Sequence, residues 1–311
     1  MRTAFINTLR DLAKNNKNIF LLNGDLGFSV LEEFTKAYPD RSLNMGVAEA
    51  NMIGVAAGLA LSGKTVFVYS IIPFVTARVF EQIRNDIALQ KANVKIVGVG
   101  SGLTYGQLGP THHSIEDIAL MRVLPNMTVV CPGDPFETTE ATKALAALNG
   151  PAYLRIGKKG EPAVHRNTPV FKIGKSILIR KGRDGTLIAT GNMLPTASAL
   201  VNEFVKRGKK LRLISMHTIK PLDHRIIIKA AKETPAIFTL EEHNVIGGLG
   251  SATAEILAEI PASKKMKHFR RFGICDRFTL MAGSHDFLRT LHALSLRDLS
   301  TILWNDLKKI K

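Results

Sequence analysis

Cysteine is nearly missing from this sequence: Cys131 and Cys275 are the two among 311 residues. Two cysteines make no disulfide framework, and a reducing cytoplasm suits such a chain. Long apolar runs are missing too. None approaches the length of a membrane span, so the sequence argues against a membrane protein. The opening residues, MRTAFINTLRDLAKNNKN, have no secretory apolar core; their pattern is that of an amphipathic helix. There is no internal repeat and no low-complexity tract. Aromatic residues are scarce, at 6% with one tryptophan, and they are not interleaved with the basic ones. That argues against stacking on single-stranded nucleic acid.

What is present is positive charge, unevenly spread. Residues 1–156 hold 14 Lys and Arg against 13 Asp and Glu, a net of +1. Residues 157–311 hold 28 against 13, a net of +15. A basic half can meet nucleic acid, an anionic surface or an acidic protein; it can also be a solvated surface, and composition favours this last reading.

Hydrophobic residues make up 45% of the chain, enough for two domains with real cores. Short β-branched runs at 18–23, 65–70, 94–99, 127–130 and 152–156 alternate with helical patterns. This is the pattern of a mostly parallel sheet covered by helices. The segment GKKGEPAVHRNTP (157–169) is rich in Gly, Pro and charge and reads as a linker. The alternation then restarts at 186–191, 211–216 and 236–242, with helices from about Pro195, after Asp223 and over 247–257. The expected fold is two three-layer α/β/α domains, 1–157 and 171–311, joined by residues 158–170.

In open α/β sheets ligands bind beyond the carboxyl ends of the strands. The loop GSGLTYGQLGPTHHS (100–114) follows one such strand, is glycine-rich and carries His112 and His113, which can move protons near neutral pH. A plainer reading makes Ser114 the N-cap of the next helix with Asp117 near its capping-box position. Glu49 is the other anomaly. It is the one charge in the run Leu43–Ser62, at the start of a helix of small and apolar residues. A charge at a helix N-terminus complements the dipole. A carboxyl in apolar packing is also suited to sharing a proton with a ligand, since desolvation favours the neutral form.

Three segments in this order, GVAEANMIGVAAGLA, FEQIRNDIALQ and GQLGPTHHSIED, resemble the transketolase family of thiamine-diphosphate enzymes. The resemblance covers nearly the whole chain, as a pyrimidine-binding domain followed by a C-terminal domain. It implies that Glu49 hydrogen-bonds N1′ of the cofactor's aminopyrimidine and drives formation of the thiazolium ylid. Phe74 matches the region that stacks on the pyrimidine. Asp25, in GDLG, matches an aspartate near the cofactor and the subunit interface; its plainer reading is a turn residue. His112 falls on the histidine of the GPTH loop, which contacts substrate and helps proton transfer, with His113 a weaker substrate candidate. Arg2, Ser29 and Arg155 match residues that hold a sugar phosphate, a task suited to arginine's planar fork.

The departures from the family pattern matter as much. Gln107 and Leu108 replace an acidic pair that reads a donor hydroxyl, and Gly100 stands near the place of a further histidine. The Gly-Asp-Gly segment of the diphosphate site, whose aspartate and a downstream asparagine hold Mg²⁺ or Ca²⁺, does not occur. The resemblance therefore implies one half of a split transketolase. It would transfer a two-carbon ketol unit between sugar phosphates and be active only with an N-terminal subunit carrying Gly-Asp-Gly. An α₂β₂ assembly is expected, with a β–β dimer built on the small-residue helix 50–61. Alternatives are a split deoxyxylulose-phosphate-synthase-like subunit, a 2-oxo acid dehydrogenase β subunit, or a non-catalytic basic regulatory or nucleic-acid-binding relative.

Overall fold

The computed structural model describes residues 1–158, 160–261 and 266–310. Lys159 of the expected linker, and residues 262–265 and Lys311 of the second domain, lie outside the described residues.

Among the described residues the strands are β1 (Ile19–Asn23), β2 (Ser42–Asn44), β3 (Thr65–Ile71), β4 (Val94–Val99), β5 (Thr128–Val130) and β6 (Ala152–Ile156) in the first half. The second half has β7 (Ile177–Arg180), β8 (Gly185–Ala189), β9 (Leu211–Ser215), β10 (Thr218–Lys220), β11 (Ala236–Asn244) and β12 (His268–Ile274). They form two sheets. The first has seven strands in the order β10-β5-β6-β4-β3-β1-β2, and the second has five in the order β12-β11-β8-β9-β7. All pairings are parallel except β10 on β5 and β7 on β9. Helices flank both sheets, giving the expected three-layer α/β/α architecture twice.

The strands read from the sequence are present. Those not read are short or weakly patterned: β2, β7, β10 and β12. β12 carries charge along its length, as HFRRFGI, and only its last three residues are buried. β3, β4 and β6 are buried throughout, which is why they appear in the sequence as unbroken apolar runs.

The chain crosses back after the linker. β10, from the second half, pairs with the edge strand β5 of the first sheet. The core follows this crossing. One cluster runs from Leu22, Val68 and Ile96 of the first sheet through Cys131 to Ile188, Ile214 and Ile237 of the second. The outer face of each sheet has its own cluster, around Phe5, Phe67 and Leu154 in one and Leu187, Phe238 and Leu303 in the other. No described helix is long and apolar enough to cross a membrane.

Candidate functional site

The helix Glu49–Leu61 begins where β2 ends and packs Met52, Ile53, Ala56 and Ala57 inward. Its small residues let it lie close to β3. Ala50, Gly54 and Gly58 face outward, in a stripe continued by the exposed Leu61 and Val47. Glu49, the first residue of the helix, is 2% exposed. Its Oε2 accepts a hydrogen bond from Arg78 Nη1 at 2.9 Å. Its Oε1 faces the backbone at Gly24, where a Cβ would sit 3.5 Å away, and the hydroxyl of buried Ser70 is the same distance from that point. The Ser70 hydroxyl has no hydrogen-bond partner among the described residues. The carboxylate therefore has one ion-pair partner and one free oxygen, and that oxygen and the unpaired Ser70 hydroxyl both border the Gly24 backbone.

Arg78 lies four residues beyond Phe74 and its guanidinium covers the Phe74 ring at 4.2 Å. The ring of Phe74 meets His112 edge-on, with centroids 5.1 Å apart. His112 in turn meets Tyr105 at 6.4 Å, and Lys158 Nζ lies 4.6 Å over the Tyr105 ring. The charge of Arg2 acts on the phenols of both Tyr69 and Tyr105. Burial raises both phenols above their ordinary range, and the Arg2 charge opposes this. Glu49, Arg78, Phe74, His112 and Tyr105 thus form one run of contacts along the carboxyl edge of the first sheet, with the Arg2 charge acting on its Tyr105 end.

Burial, and next the facing Arg78, lower the His112 imidazole. A neutral imidazole near pH 7 can both accept and donate a proton. Asp25 and Ser29 lie on the loop after β1, both exposed, with positive φ of 55° and 61°. Asp25 exchanges hydrogen bonds of 3.0 Å with Asn44 through its backbone N–H and its carboxylate. Ser29 N–H donates to Glu32 at 2.6 Å. A Cβ at Gly27 of this loop would lie 3.3 Å from the Tyr69 ring, which brings the loop to the Arg2 neighbourhood.

Three expectations are corrected. Arg155 is not open to a phosphate. It is 1% exposed, and its Nε donates to Asp117 at 2.7 Å. Its Nη2 donates to the carbonyls of Ser114 and Glu242 at 2.9 and 3.0 Å. Its place in the middle of the sheet, on β6, turned the side chain into the interdomain core. His113 is also buried, at 5%, and burial lowers its imidazole, so its ring is not open at the surface of the loop. Ser114 does not cap a helix. Its hydroxyl donates to the Gly100 carbonyl at 3.1 Å, and the helix starts at Asp117, whose carboxylate is spent on Arg155 and Tyr153.

Sequence reasoning missed Arg78, Lys158 and Tyr105. Arg78 lies beyond the helix that carries Phe74, past a break at Thr76, so helical spacing could not have paired the two. Lys158 stood at the start of a segment read as linker.

A cavity of about 560 Å³ lies elsewhere, between the helices Asp117–Val123 and Leu249–Glu259, lined by Arg122, Lys220 and His224. None of the residues assigned from sequence lines it.

Comparison with known proteins bears on this arrangement. The model of the transketolase pyrimidine-binding domain matches residues 1–161, and that of the transketolase C-terminal domain matches residues 174–297. This chain belongs to the transketolase family. It is 39% identical, over 92% of its length and 90% of the relative's, to a subunit of the apulose-4-phosphate transketolase of Phocaeicola vulgatus. It is 36% identical to the 6-deoxy-6-sulfo-D-fructose transketolase subunit SqwH of Clostridium sp. (strain MSTE9), covering 96% of this chain and 92% of that one. The fold matches a solved structure described as the inactive β4 tetramer of a split-gene transketolase. There the TM-score is 0.89 at 37% identity, over 100% of this chain and 99% of that one. By contrast, it spans 46% of the Campylobacter jejuni transketolase, with a TM-score of 0.78 at 21% identity. Within the family, then, this chain is a subunit of the split kind.

Proposed function

We propose that this chain supplies the pyrimidine side of a thiamine diphosphate site and, with an N-terminal partner subunit, transfers a two-carbon ketol unit between anionic sugars. The observation that carries the reading is Glu49, buried at a helix start at the strand-end edge, with one oxygen free and Phe74 and His112 next along the same edge.

The residues fit the cofactor's demands. A free carboxylate oxygen beside the unpartnered Ser70 hydroxyl, on a wall kept open by Gly24, is a cradle for a polar ring edge. When bound, thiamine diphosphate supplies a nucleophilic carbon and an electron sink for breaking a bond next to a carbonyl. Glu49 would hold a proton at the pyrimidine N1′ through its free oxygen, with Arg78 on the other. Phe74 provides an apolar wall for the ring, and Asp25 stands near it on the β1 loop. His112 moves protons at the substrate oxygens. Arg2 and Ser29 hold the anionic end of the sugar, and Lys158 takes the role expected of Arg155. The relatives are named for a sugar phosphate and a sulfo-sugar, which suits the cations Arg2, Lys158 and Arg78 at the mouth. Mg²⁺ or Ca²⁺ and the diphosphate belong to the partner subunit, the one with Gly-Asp-Gly.

The outward stripe of Ala50, Gly54 and Gly58 permits close approach of a second copy, consistent with an α₂β₂ complex around a β–β dimer. The description of the split-gene neighbour as an inactive β4 tetramer supports both self-association and silence without the partner.

The test is calorimetric titration of thiamine diphosphate with Mg²⁺, first into this chain and then into the chain with its partner. Binding and ketol transfer are expected in the complex alone. Tight binding and turnover by the isolated chain would refute the two-subunit reading.

A further inference from the structure

The second domain holds none of the groups assigned above, yet it grips the loop that carries His112. Glu242, near the end of β11, is fully buried. Its Oε1 accepts the Leu103 N–H at 2.6 Å and lies 2.7 Å from His285 Nε2. Its Oε2 accepts from Arg289 Nε at 2.5 Å and from Asn192 Nδ2 at 3.2 Å. Burial works against this carboxylate, but Arg289, His285 and the Leu103 N–H hold it well below the usual range.

The contact reaches the whole loop. Gly102 has φ of 63°, and a Cβ there would lie 2.3 Å from Glu242 Oε1, so the backbone is pressed against the carboxylate. Ser114 N–H closes the loop base on the Gly102 carbonyl at 2.9 Å. Fixing Leu103 therefore fixes both stems of the segment that ends in His112 and His113. A second grip lies further along: Gly283 N–H donates to the Gly106 carbonyl at 3.1 Å. A Cβ on Gly106 would sit 2.6 Å from both the Gly283 carbonyl and Leu288. Gly283, His285, Leu288 and Arg289 belong to one short stretch around the helix His285–Leu291. The loop is thus clamped to that stretch twice, once through the Glu242 carboxylate.

We propose that Glu242, oriented by Arg289 and His285, is the positioning residue that sets the His112 loop against Phe74 for catalysis. This rests on the reading of His112 as a site residue. Burying an ion pair is a poor way to gain stability, since apolar packing of similar volume usually does as well or better. What the carboxylate adds is direction: it aims a backbone N–H, and through it the loop. A misplacement of about 1 Å in such a loop is enough to cost a factor near 100 in rate.

The experiment uses the full chain reconstituted with its partner. In Glu242→Gln the carboxamide cannot accept from Leu103, Asn192 and Arg289 together. Turnover is expected to fall about 10- to 100-fold in kcat, with KM and exchange of the cofactor C2 proton near those of the unmodified complex. Amide hydrogen exchange across residues 103–115 should speed up, while residues 49–61 keep their protection. Arg289→Lys, which keeps the charge and loses the fork, should show the same pattern more weakly, and it answers the question if Glu242→Gln does not fold. Unchanged loop exchange, or unchanged kcat, in a folded variant overturns the proposal. So does an equal loss of C2 exchange, which marks a merely structural role. The loop-exchange measurement needs no turnover, so it stands apart from the test of the two-subunit reading.

Discussion

At the carboxyl edge of the first sheet, Glu49 has one partner, Arg78, whose side chain is 48% exposed. At the same edge of the second sheet, Glu242 spends both oxygens on four donor groups and Glu241 caps the helix Leu249–Glu259 through the N–H groups of Leu249 and Gly250 at 2.7 and 2.8 Å. The two sheets are built alike, and the edge of each carries buried carboxylates. One edge is left incomplete and the other is closed. The difference teaches where a ligand is expected: a carboxylate with one oxygen still unpaired by the protein can accept a partner, and one with both oxygens spent cannot. Charge follows the same division. The first half is nearly neutral and holds the proposed site. Several of the cations of the second half lie at the opposite edge of its sheet, before β8 and β9 begin. Lys181 and Arg183 precede β8, Lys206, Lys209 and Lys210 precede β9, and Lys308 and Lys309 end the helix whose Leu307 packs near Gly185 of β8.

Removing the incomplete carboxylate should have the largest effect on function. Glu49→Gln, in the reconstituted complex, should lower exchange of the cofactor C2 proton by about 10²- to 10⁴-fold, the usual worth of a positioned acid–base group. The fold should survive, because the substitution is nearly isosteric. Exchange at the unmodified rate would erase the contrast between the two edges.

Arg155 and Lys158 sharpen the comparison next. Arg155→Ala leaves Asp117 buried without its cation and should cost about 3–5 kcal/mol of stability. Lys158→Ala should leave stability nearly unchanged. Its kcat/KM for phosphorylated sugars should drop roughly tenfold, with a smaller drop for unphosphorylated ones, as for loss of a charge-assisted bond. Denaturant titration and paired substrates separate the two. If the variants exchange these behaviours, the anion site has been misplaced.

The junction between the halves should show a pH signature. His165 Nε2 lies 2.8 Å from Glu137 Oε1, which also accepts from Ser215 at 2.6 Å. Burial disfavours the imidazolium, but the Glu137 bond and charge outweigh it and raise His165. Glu137, against its own burial, is lowered by His165, His217 and Ser215. The His165 contribution is therefore complete below the ordinary histidine value of about 6.5 and is lost as pH climbs through its raised value. The Glu137 contribution is present above the carboxylate range and is lost on acidification. His217, kept neutral by burial and lowered to about 4, works in the opposite sense to His165 below neutrality. Comparing the chain with His165→Gln removes that background. The stability gap between them should be widest near about pH 6 and shrink toward about pH 9. A gap of constant size rejects the ion pair.

The smallest effect is expected at the basic edge. Replacing Lys206, Lys209 and Lys210 together by serine should change stability by about 0.5 kcal/mol or less and leave turnover as it was. A large loss of turnover there would move the division of labour from one sheet edge to the other.

Sequence by itself determined the layered α/β fold twice over and the family, and it singled out Glu49, Phe74 and His112, which follow strands of the first sheet, as candidates for the proposed site. These are legible because a period of strand and helix, a lone charge in an apolar run and a glycine-rich histidine loop are local patterns. Four strands escaped it because short edge strands and the charged β12 bury too little to leave a pattern. Tertiary structure alone decided which of two cations is buried. Arg155 and Lys158 are three residues apart on one exit from the sheet, and the sequence reading put the phosphate on the first and passed over the second. Only the second domain, folding back through β10 and laying Glu242 over the first sheet, closes one in the core and leaves the other at the mouth. The free oxygen of Glu49 and the spent oxygens of Glu242 have the same origin, since a carboxylate's partners come from segments far apart in the chain.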